Sequence, residues 1–208
     1  MRRGLGVRRK GGAGVVMVLG AEGGEGVTSI AASLALDVAR RTNDGVWLVD
    51  LNFRKNAAAK GFAQGFAGLG GLGAPYRADL GVRPLHRIDG REAPSGLLEV
   101  RQAGCTNLFV TRFRNEAVAA SSRLEVVRSP EWWTGLRRRL AWVIVDAPAL
   151  SASSAALTAA ADMDSVILVA DQHRTDVRTL ARAAEIVRRH GGQIAGVVSN
   201  CPPRASAA

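Results

Sequence analysis

Gly20-Ala21-Glu22-Gly23-Gly24-Glu25-Gly26-Val27-Thr28-Ser29 is the stretch that decides the fold. It has the frame of a phosphate-binding loop, with Val27 where such a loop carries its lysine. An apolar run, Val15-Val16-Met17-Val18-Leu19, precedes it, and a helical pattern from Ile30 to Arg40 follows. Strand, glycine-rich loop and helix in that order are the context a phosphate loop requires. Glycines let backbone N–H groups approach phosphate oxygens, and the helix N-terminus adds a positive end. The residues expected to line a nucleotide are therefore Gly23, Gly24, Glu25, Gly26, Val27, Thr28 and Ser29. The ammonium that would reach the outer phosphates is missing.

Outward from this loop, apolar strands alternate with helices. Val46-Trp47-Leu48-Val49 ends at Asp50, and Trp142-Val143-Ile144-Val145 ends at Asp146. Asn107–Thr111, Ser165–Ala170 and Ile194–Val198 also read as strands. Ser129 at N-cap and Pro130 at N1 predict a helix to about Leu140. Ser151–Ala161 reads as helical. Thr175-Asp176 predicts the cap of a helix to Arg189, ended by Gly191-Gly192. Its Val177, Leu180, Ala184 and Val187 recur at helical spacing. The pattern predicts an α/β fold: a parallel sheet with helices on both faces, a three-layer sandwich of the P-loop NTPase type. The expected organisation is a basic tail over 1–14, one domain over 15–201 and a loose tail over 202–208. A Gly/Pro-rich insertion over 55–96 carries one helix near Ala57–Phe66 and is expected to lie over the sheet's edge.

In open α/β sheets ligands bind at the carboxyl ends of the strands. Three segments meet there: the loop, Asp50-Leu51-Asn52-Phe53-Arg54, and Asp146-Ala147-Pro148. An apolar strand ending in a single acid is commonplace, and Asp146 alone would read as a cap. The three in this order predict a nucleotide and Mg²⁺ site, with Thr28, Asp50 and Asp146 as metal-side residues. Gly26, Asp50 and Asp146 are expected at one edge of the sheet.

Composition narrows the alternatives. The chain has 208 residues, 47% of them apolar, enough for one full core. No apolar run approaches the ~18 residues that cross a bilayer, and Glu22 with the glycines interrupts any secretory signal. A cytoplasmic location is expected. Cys105 and Cys201 predict two reduced thiols rather than a disulfide or zinc site. The net charge is +10, nearly all from arginine, since Lys10, Lys55 and Lys60 are the only lysines. Such a charge attracts acidic membrane surfaces, nucleic acid or acidic proteins. Solvated arginines at helix ends account for it equally well.

The chain resembles the deviant-Walker ATPases of the MinD and ParA group. Within that group it is most similar to the cytoplasmic domain of bacterial tyrosine kinases that serve polysaccharide export. The resemblance covers about residues 15–200 outside the insertion. Gly23-Gly24-Glu25-Gly26-Val27-Thr28 matches the kinases' Pro-Gly-Glu-Gly-Lys-Ser/Thr. Asp50-Leu51-Asn52-Phe53-Arg54 matches Asp-x-Asp-x-Arg, and Asp146-Ala147-Pro148 matches Asp-x-Pro. Gly196-Val197-Val198-Ser199-Asn200 resembles the segment whose Asn lies near adenine.

The departures carry the functional reading. Val27 removes a lysine, Asn52 replaces a carboxylate, and Glu22 stands where MinD-type loops place a second lysine. One lost charge-assisted contact weakens triphosphate binding by ~10–100-fold. Binding of ATP and Mg²⁺ is therefore expected to be weak or absent, and efficient turnover is not expected. Asp50, Asn52 and Asp146 are remnants of catalytic positions. The tail from Cys201 to Ala208 has no tyrosine to phosphorylate. The resemblance implies a kinase-like accessory of holdfast-type exopolysaccharide synthesis and export, at the inner membrane through a partner. That partner is a membrane polysaccharide co-polymerase or chain-length regulator. Homo-oligomers and contact with an acidic membrane surface are further expectations; nucleic acid is not. The competing reading is an active MinD/ParA-like ATPase that positions pili, plasmids or cell-pole components.

Overall fold

The computed structural model describes residues 13–77, 80–94 and 96–201. Eight strands form the main sheet. They are β1 (Gly14–Gly20), β2 (Val46–Asp50), β3 (Leu72–Arg77), β6 (Leu98–Ala103), β7 (Leu108–Phe113), β9 (Trp142–Asp146), β10 (Ser165–Asp171) and β11 (Ile194–Asn200), in the order β11-β10-β1-β9-β2-β7-β6-β3. β11 through β7 run parallel, and β6 and β3 add an antiparallel edge. A second, three-stranded sheet is formed by β4 (His86–Ile88), β5 (Arg91–Glu92) and β8 (Leu124–Val126).

The central strands are apolar on both faces because both are covered. Along β1, Val15, Met17 and Leu19 enter one core, and Val16 and Val18 enter the other. The first core is closed by α3 (Pro130–Arg137) with Trp132, Trp133 and Leu136, by α4 (Ala155–Ala159), and by α5 (Val177–Arg189) with Val187. The second is closed by α1 (Val27–Ala39) and α2 (Ala57–Ala63). Ala31, Ala32 and Ala35 let α1 lie close to the sheet. The α/β sandwich predicted from the strand–helix alternation is the observed architecture.

Details depart from the sequence reading for local reasons. Ser129 is the N-cap residue of α3 as read, but its side chain makes no cap hydrogen bond: its buried hydroxyl donates to the Arg83 carbonyl at 3.1 Å. Pro130 does occupy the first turn. Asp176 caps α5, its carboxylate accepting from Thr179 N at 2.7 Å. The helix expected over 151–161 is shortened to α4 and a 3-10 turn at Ala160–Asp162. The 55–96 segment is more than a cover over an edge. It contributes α2, the outermost strand β3 and the hairpin β4–β5, and it buries Phe62 and Leu85 in the two cores. Ala13 and Gly14, expected in the tail, belong to the fold: Ala13 is buried, its N–H donates to the Arg137 carbonyl at 2.9 Å, and Gly14 opens β1. The rest of that tail and residues 202–208 lie outside the described residues.

Candidate functional site

The loop after β1 is held open by backbone that only glycine adopts freely. Gly23, Gly24 and Gly26 have φ of 98°, 86° and 82°. Glu25 is the residue that shapes it. Its side chain folds back under the loop, 2% exposed, and its carboxylate accepts from Glu22 N at 2.6 Å and Gly23 N at 2.7 Å. A side-chain carbon on Gly20 would stand 2.6 Å from that carboxylate, so Gly20 makes the room it needs. Asn200, at the end of β11, donates from Nδ2 to the Glu25 carbonyl at 2.8 Å. Among the described residues, the N–H groups of Gly24, Glu25, Gly26, Val27 and Thr28 meet no acceptor. They remain available to an anion.

Val27 begins α1, and its side chain turns inward. It packs against the alanine-rich core, its Cγ2 2.9 Å from where a Gly20 side-chain carbon would stand. Thr28 follows, its hydroxyl on the side of the Asp146 carboxyl, where it favours the charged form of that acid. Ser29 is exposed on the same turn.

The two acids arrive through sheet register. Asp50 and Asp146 are paired positions on neighbouring parallel strands, β2 and β9, so both emerge at the same edge as the loop. Asp146 in turn adjoins Val18 across β9 and β1, two residues before Gly20. Both acids are buried. Asp50 is tied in on several sides. Its N–H donates to Thr111 Oγ1 at 2.9 Å, and its carboxylate accepts from Asn52 N at 2.7 Å and Ala58 N at 3.2 Å, the latter in the first turn of α2. Burial nevertheless pushes the Asp50 carboxyl up to about 6. Burial first, and then the charge of Asp50, push Asp146 up to about 7; the Thr28 hydroxyl offsets part of this. Two carboxylates forced together in a low-dielectric pocket resist ionising together. Asn52 sits in the turn just past Asp50, where its carbonyl accepts from Lys55 N and Asn56 N.

The sequence-predicted residues are thus brought together: the loop, Thr28, Asp50, Asp146 and Asn200 share one edge. Arg54, from the same motif as Asp50, is committed elsewhere; its guanidinium donates to the Ala119 carbonyl at 3.1 Å and to the Ser122 carbonyl. Glu22 is exposed, its carbonyl accepting from Ser151 Oγ at 2.9 Å. Two participants were not read from sequence. One is the loop-shaping role of Glu25, whose only signal was an acid set between glycines. The other is Arg174, whose Nη1 lies 3.1 Å from where a side-chain carbon on Gly24 would stand.

No group of three His, Cys, Asp or Glu side chains among the described residues is arranged to hold a metal alone. The donor set here is one hydroxyl and two carboxylates. It fits Mg²⁺, which prefers one or two carboxylates completed by phosphate oxygens and water.

No protein-family profile matches the chain, and no curated protein sequence matches it. Solved structures do. The VpsO kinase domain superposes with a TM-score of 0.61 at 24% identity, over 92% of this chain and 86% of that one. The kinase domain of the Escherichia coli tyrosine kinase ETK gives 0.60 at 18% identity, over 94% and 70%. The septum site-determining protein MinD of Pyrococcus horikoshii, complexed with Mg-ADP, gives 0.57 at 17% identity, over 92% and 74%. The chain has the fold these proteins share, that of P-loop ATPases and of bacterial tyrosine kinase domains built on the same plan. No helix among the described residues is long and apolar enough to cross a membrane.

Proposed function

We propose that this chain is a kinase-like accessory or regulator of exopolysaccharide synthesis and export, of the holdfast type. In this reading it docks on a membrane polysaccharide co-polymerase at the cytoplasmic side of the inner membrane. It binds nucleotide weakly and has no tyrosine autokinase activity. The observation that carries the reading is Val27, half-buried and packed against the core beneath a phosphate loop that otherwise keeps its shape, in a fold shared with tyrosine kinase domains.

If Mg²⁺ and nucleotide bind, Thr28, Asp146 and Asp50 are the residues to hold the metal. The loop amides face the phosphates, and Asn200, tied to Glu25, steadies the loop from the adenine side. Bound Mg²⁺ neutralises charge on the outer phosphates. Protein cations are needed beside it for rapid phosphoryl transfer, and position 27 supplies none.

Tyr76, the only tyrosine, lies on β3, 56% exposed, and five strand spacings separate β3 from β1. At about 4.8 Å per spacing that is ~24 Å, out of reach of the chain's own loop. Purified protein incubated with ATP and Mg²⁺ should show no phosphotyrosine by mass spectrometry. Labelling at Tyr76 that disappears in Tyr76→Phe would overturn the proposal.

One observation favours a second reading, an active MinD/ParA-like ATPase that positions pili, plasmids or poles. The Thr28–Asp146–Asp50 arrangement is intact. Deleting the gene separates the two. Loss of surface polysaccharide with normal pili and plasmid inheritance supports the accessory; the reverse supports the ATPase.

A further inference from the structure

We propose that Arg174 supplies the phosphate-facing cation that Val27 does not, reaching the loop from the turn between β10 and α5. The inference rests on reading the loop as a nucleotide site, and it names the residue that holds the phosphate chain there.

The geometry comes from three directions. First, if Gly24 carried a side-chain carbon, the only heavy atom within 4 Å of it among the described residues, beyond its chain neighbours, would be Arg174 Nη1, at 3.1 Å. The guanidinium therefore lies against the outer turn of the loop, where the backbone N–H groups of Gly24 and Glu25 have no protein acceptor among the described residues. Second, the turn that carries Arg174 is stiff. Asp171 N donates to Thr175 Oγ1 at 3.0 Å, Thr175 N to the Asp171 carbonyl at 2.9 Å, and His173 N to Asp171 Oδ1 at 2.9 Å. Third, the turn is coupled to the loop. Gln172 N donates to the Asn200 carbonyl at 2.9 Å, and Asn200 Nδ2 donates to the Glu25 carbonyl. The loop, the end of β11 and the arginine turn are thus linked by hydrogen bonds.

Charge completes the argument. Arg174 is exposed, and among the described residues its guanidinium forms no ion pair or hydrogen bond. Arg54 is spent on the Ala119 and Ser122 carbonyls, and Lys60 lies on α2 beside Asp50. Arg174 is thus the cation placed at the loop. A guanidinium offers a planar fork of donors suited to two phosphate oxygens, and it remains charged at any working pH. The ligand it selects is the phosphate chain of a nucleoside di- or triphosphate.

The test is calorimetric titration of the full chain with Mg-ADP and Mg-ATP, set beside Arg174→Ala, Arg174→Lys and Arg174→Ala with Val27→Lys. Arg174→Ala should weaken both nucleotides about tenfold. Arg174→Lys should recover part of the loss, and the added Val27→Lys should restore affinity more strongly than Val27→Lys alone improves the parent. The parent's affinity should also fall more steeply with salt than that of Arg174→Ala. An exposed position predicts unchanged melting curves, so a loss of binding reports on the contact. If the parent binds and Arg174→Ala binds equally well, the role of Arg174 is overturned while the nucleotide site stands. If the parent binds neither nucleotide, the site reading falls and the inference falls with it.

Discussion

The two flanks of the candidate site have answered burial in opposite ways. On the loop flank, the residue at the lysine position is apolar and rests half-buried against the core, and the one buried acid, Glu25, has two N–H donors to itself. That flank pairs its buried carboxylate without any ligand. On the strand-end flank, Asp50 and Asp146 are buried side by side; burial lifts Asp50, and burial with the charge of Asp50 lifts Asp146, both well above the ordinary carboxylate value of 3.8. That flank gains from a proton or a cation. The difference separates shape from charge. The loop keeps the shape of a phosphate site without its cation, while the acids keep an unfavourable charge that a metal would relieve.

The strongest test of the contrast is to return the cation to the loop flank. Val27→Lys should raise ATP affinity by ~10–100-fold, more than any other single change in the loop, because charge-assisted contacts to phosphate are worth ~1.5–3 kcal/mol. Val27 is half-buried, so the lysine stem can cover the same alanines while the ammonium extends outward. Isothermal titration measures it. No gain at all would mean the loop flank is closed to phosphate, and the chain would be an interaction module that shares only the fold.

The next test acts on the acids. Folded Asp146 and Asp50 hold protons up to about pH 7 and 6, whereas the unfolded chain releases them near 3.8. The folded state thus binds more protons between about pH 4 and 7, and stability falls as pH rises through that window. Asp146→Asn removes the repulsion and should stabilise the protein at pH 8 by on the order of 1–2 kcal/mol, a rise in melting temperature of ~3–6 °C. It should flatten the slope between pH 4 and 7. Mg²⁺ should raise the melting temperature of the parent and not of the variant. A less stable variant at pH 8 would mean the acids are satisfied as they are.

His86 provides the contrast within the same pH range. It is buried against Phe53 and Phe113, with ring centroids 5.6 and 5.1 Å away, and neither ring nitrogen has a hydrogen-bond partner among the described residues. Burial pulls it down to about 4 from the usual 6.5. Here the unfolded chain binds the extra proton, so stability falls as pH drops from about 6.5 to 4, the opposite sign to the acids. His86→Phe should remove that acid-side loss, with a gain on the order of 1 kcal/mol at pH 5 and little change at pH 8. Thermal melts across pH, in the single variants and with Asp146→Asn, assign each slope to its group.

How much of this was legible in the sequence follows from range. The loop, Asp50 and Asp146 sit at the ends of apolar runs, and a parallel sheet brings such ends to one edge, so local pattern was enough. Asp176 and Pro130 were likewise readable because caps act within one turn. Ser129 holds the N-cap position as read, but its hydroxyl donates to the Arg83 carbonyl, 46 residues away, rather than to the helix. The strands β6 and β3 escaped notice because they are antiparallel edge strands of mixed polarity. Leu98–Ala103 carries Glu99, Arg101 and Gln102, and Glu99 is neutralised only once Arg101 and Arg112 close on it at 2.9 and 3.0 Å. Arg174 was invisible for the same reason: 150 residues of chain separate it from Gly24, and no spacing rule spans them.

The smallest effect concerns Glu22, which occupies the place of a second cation on the loop flank. In Glu22→Lys with Val27→Lys, two positive charges replace one negative and one neutral residue. If both faced the phosphates from inside the pocket, the second change would match the first. The structure puts Glu22 on the exposed side of the loop, with its N–H turned to Glu25 and its carbonyl to Ser151. Water and salt screen a charge there, and exposed ion pairs are worth only ~0.2–1 kcal/mol. The double variant should therefore bind ATP about two- to threefold more tightly than Val27→Lys at low salt, and the increment should vanish at high salt. Its own contribution can be isolated by titrating both variants across ionic strength. An increment of tenfold or more that persists at high salt would show that position 22 reaches the phosphates, and that the loop flank lost its charge at two places rather than one.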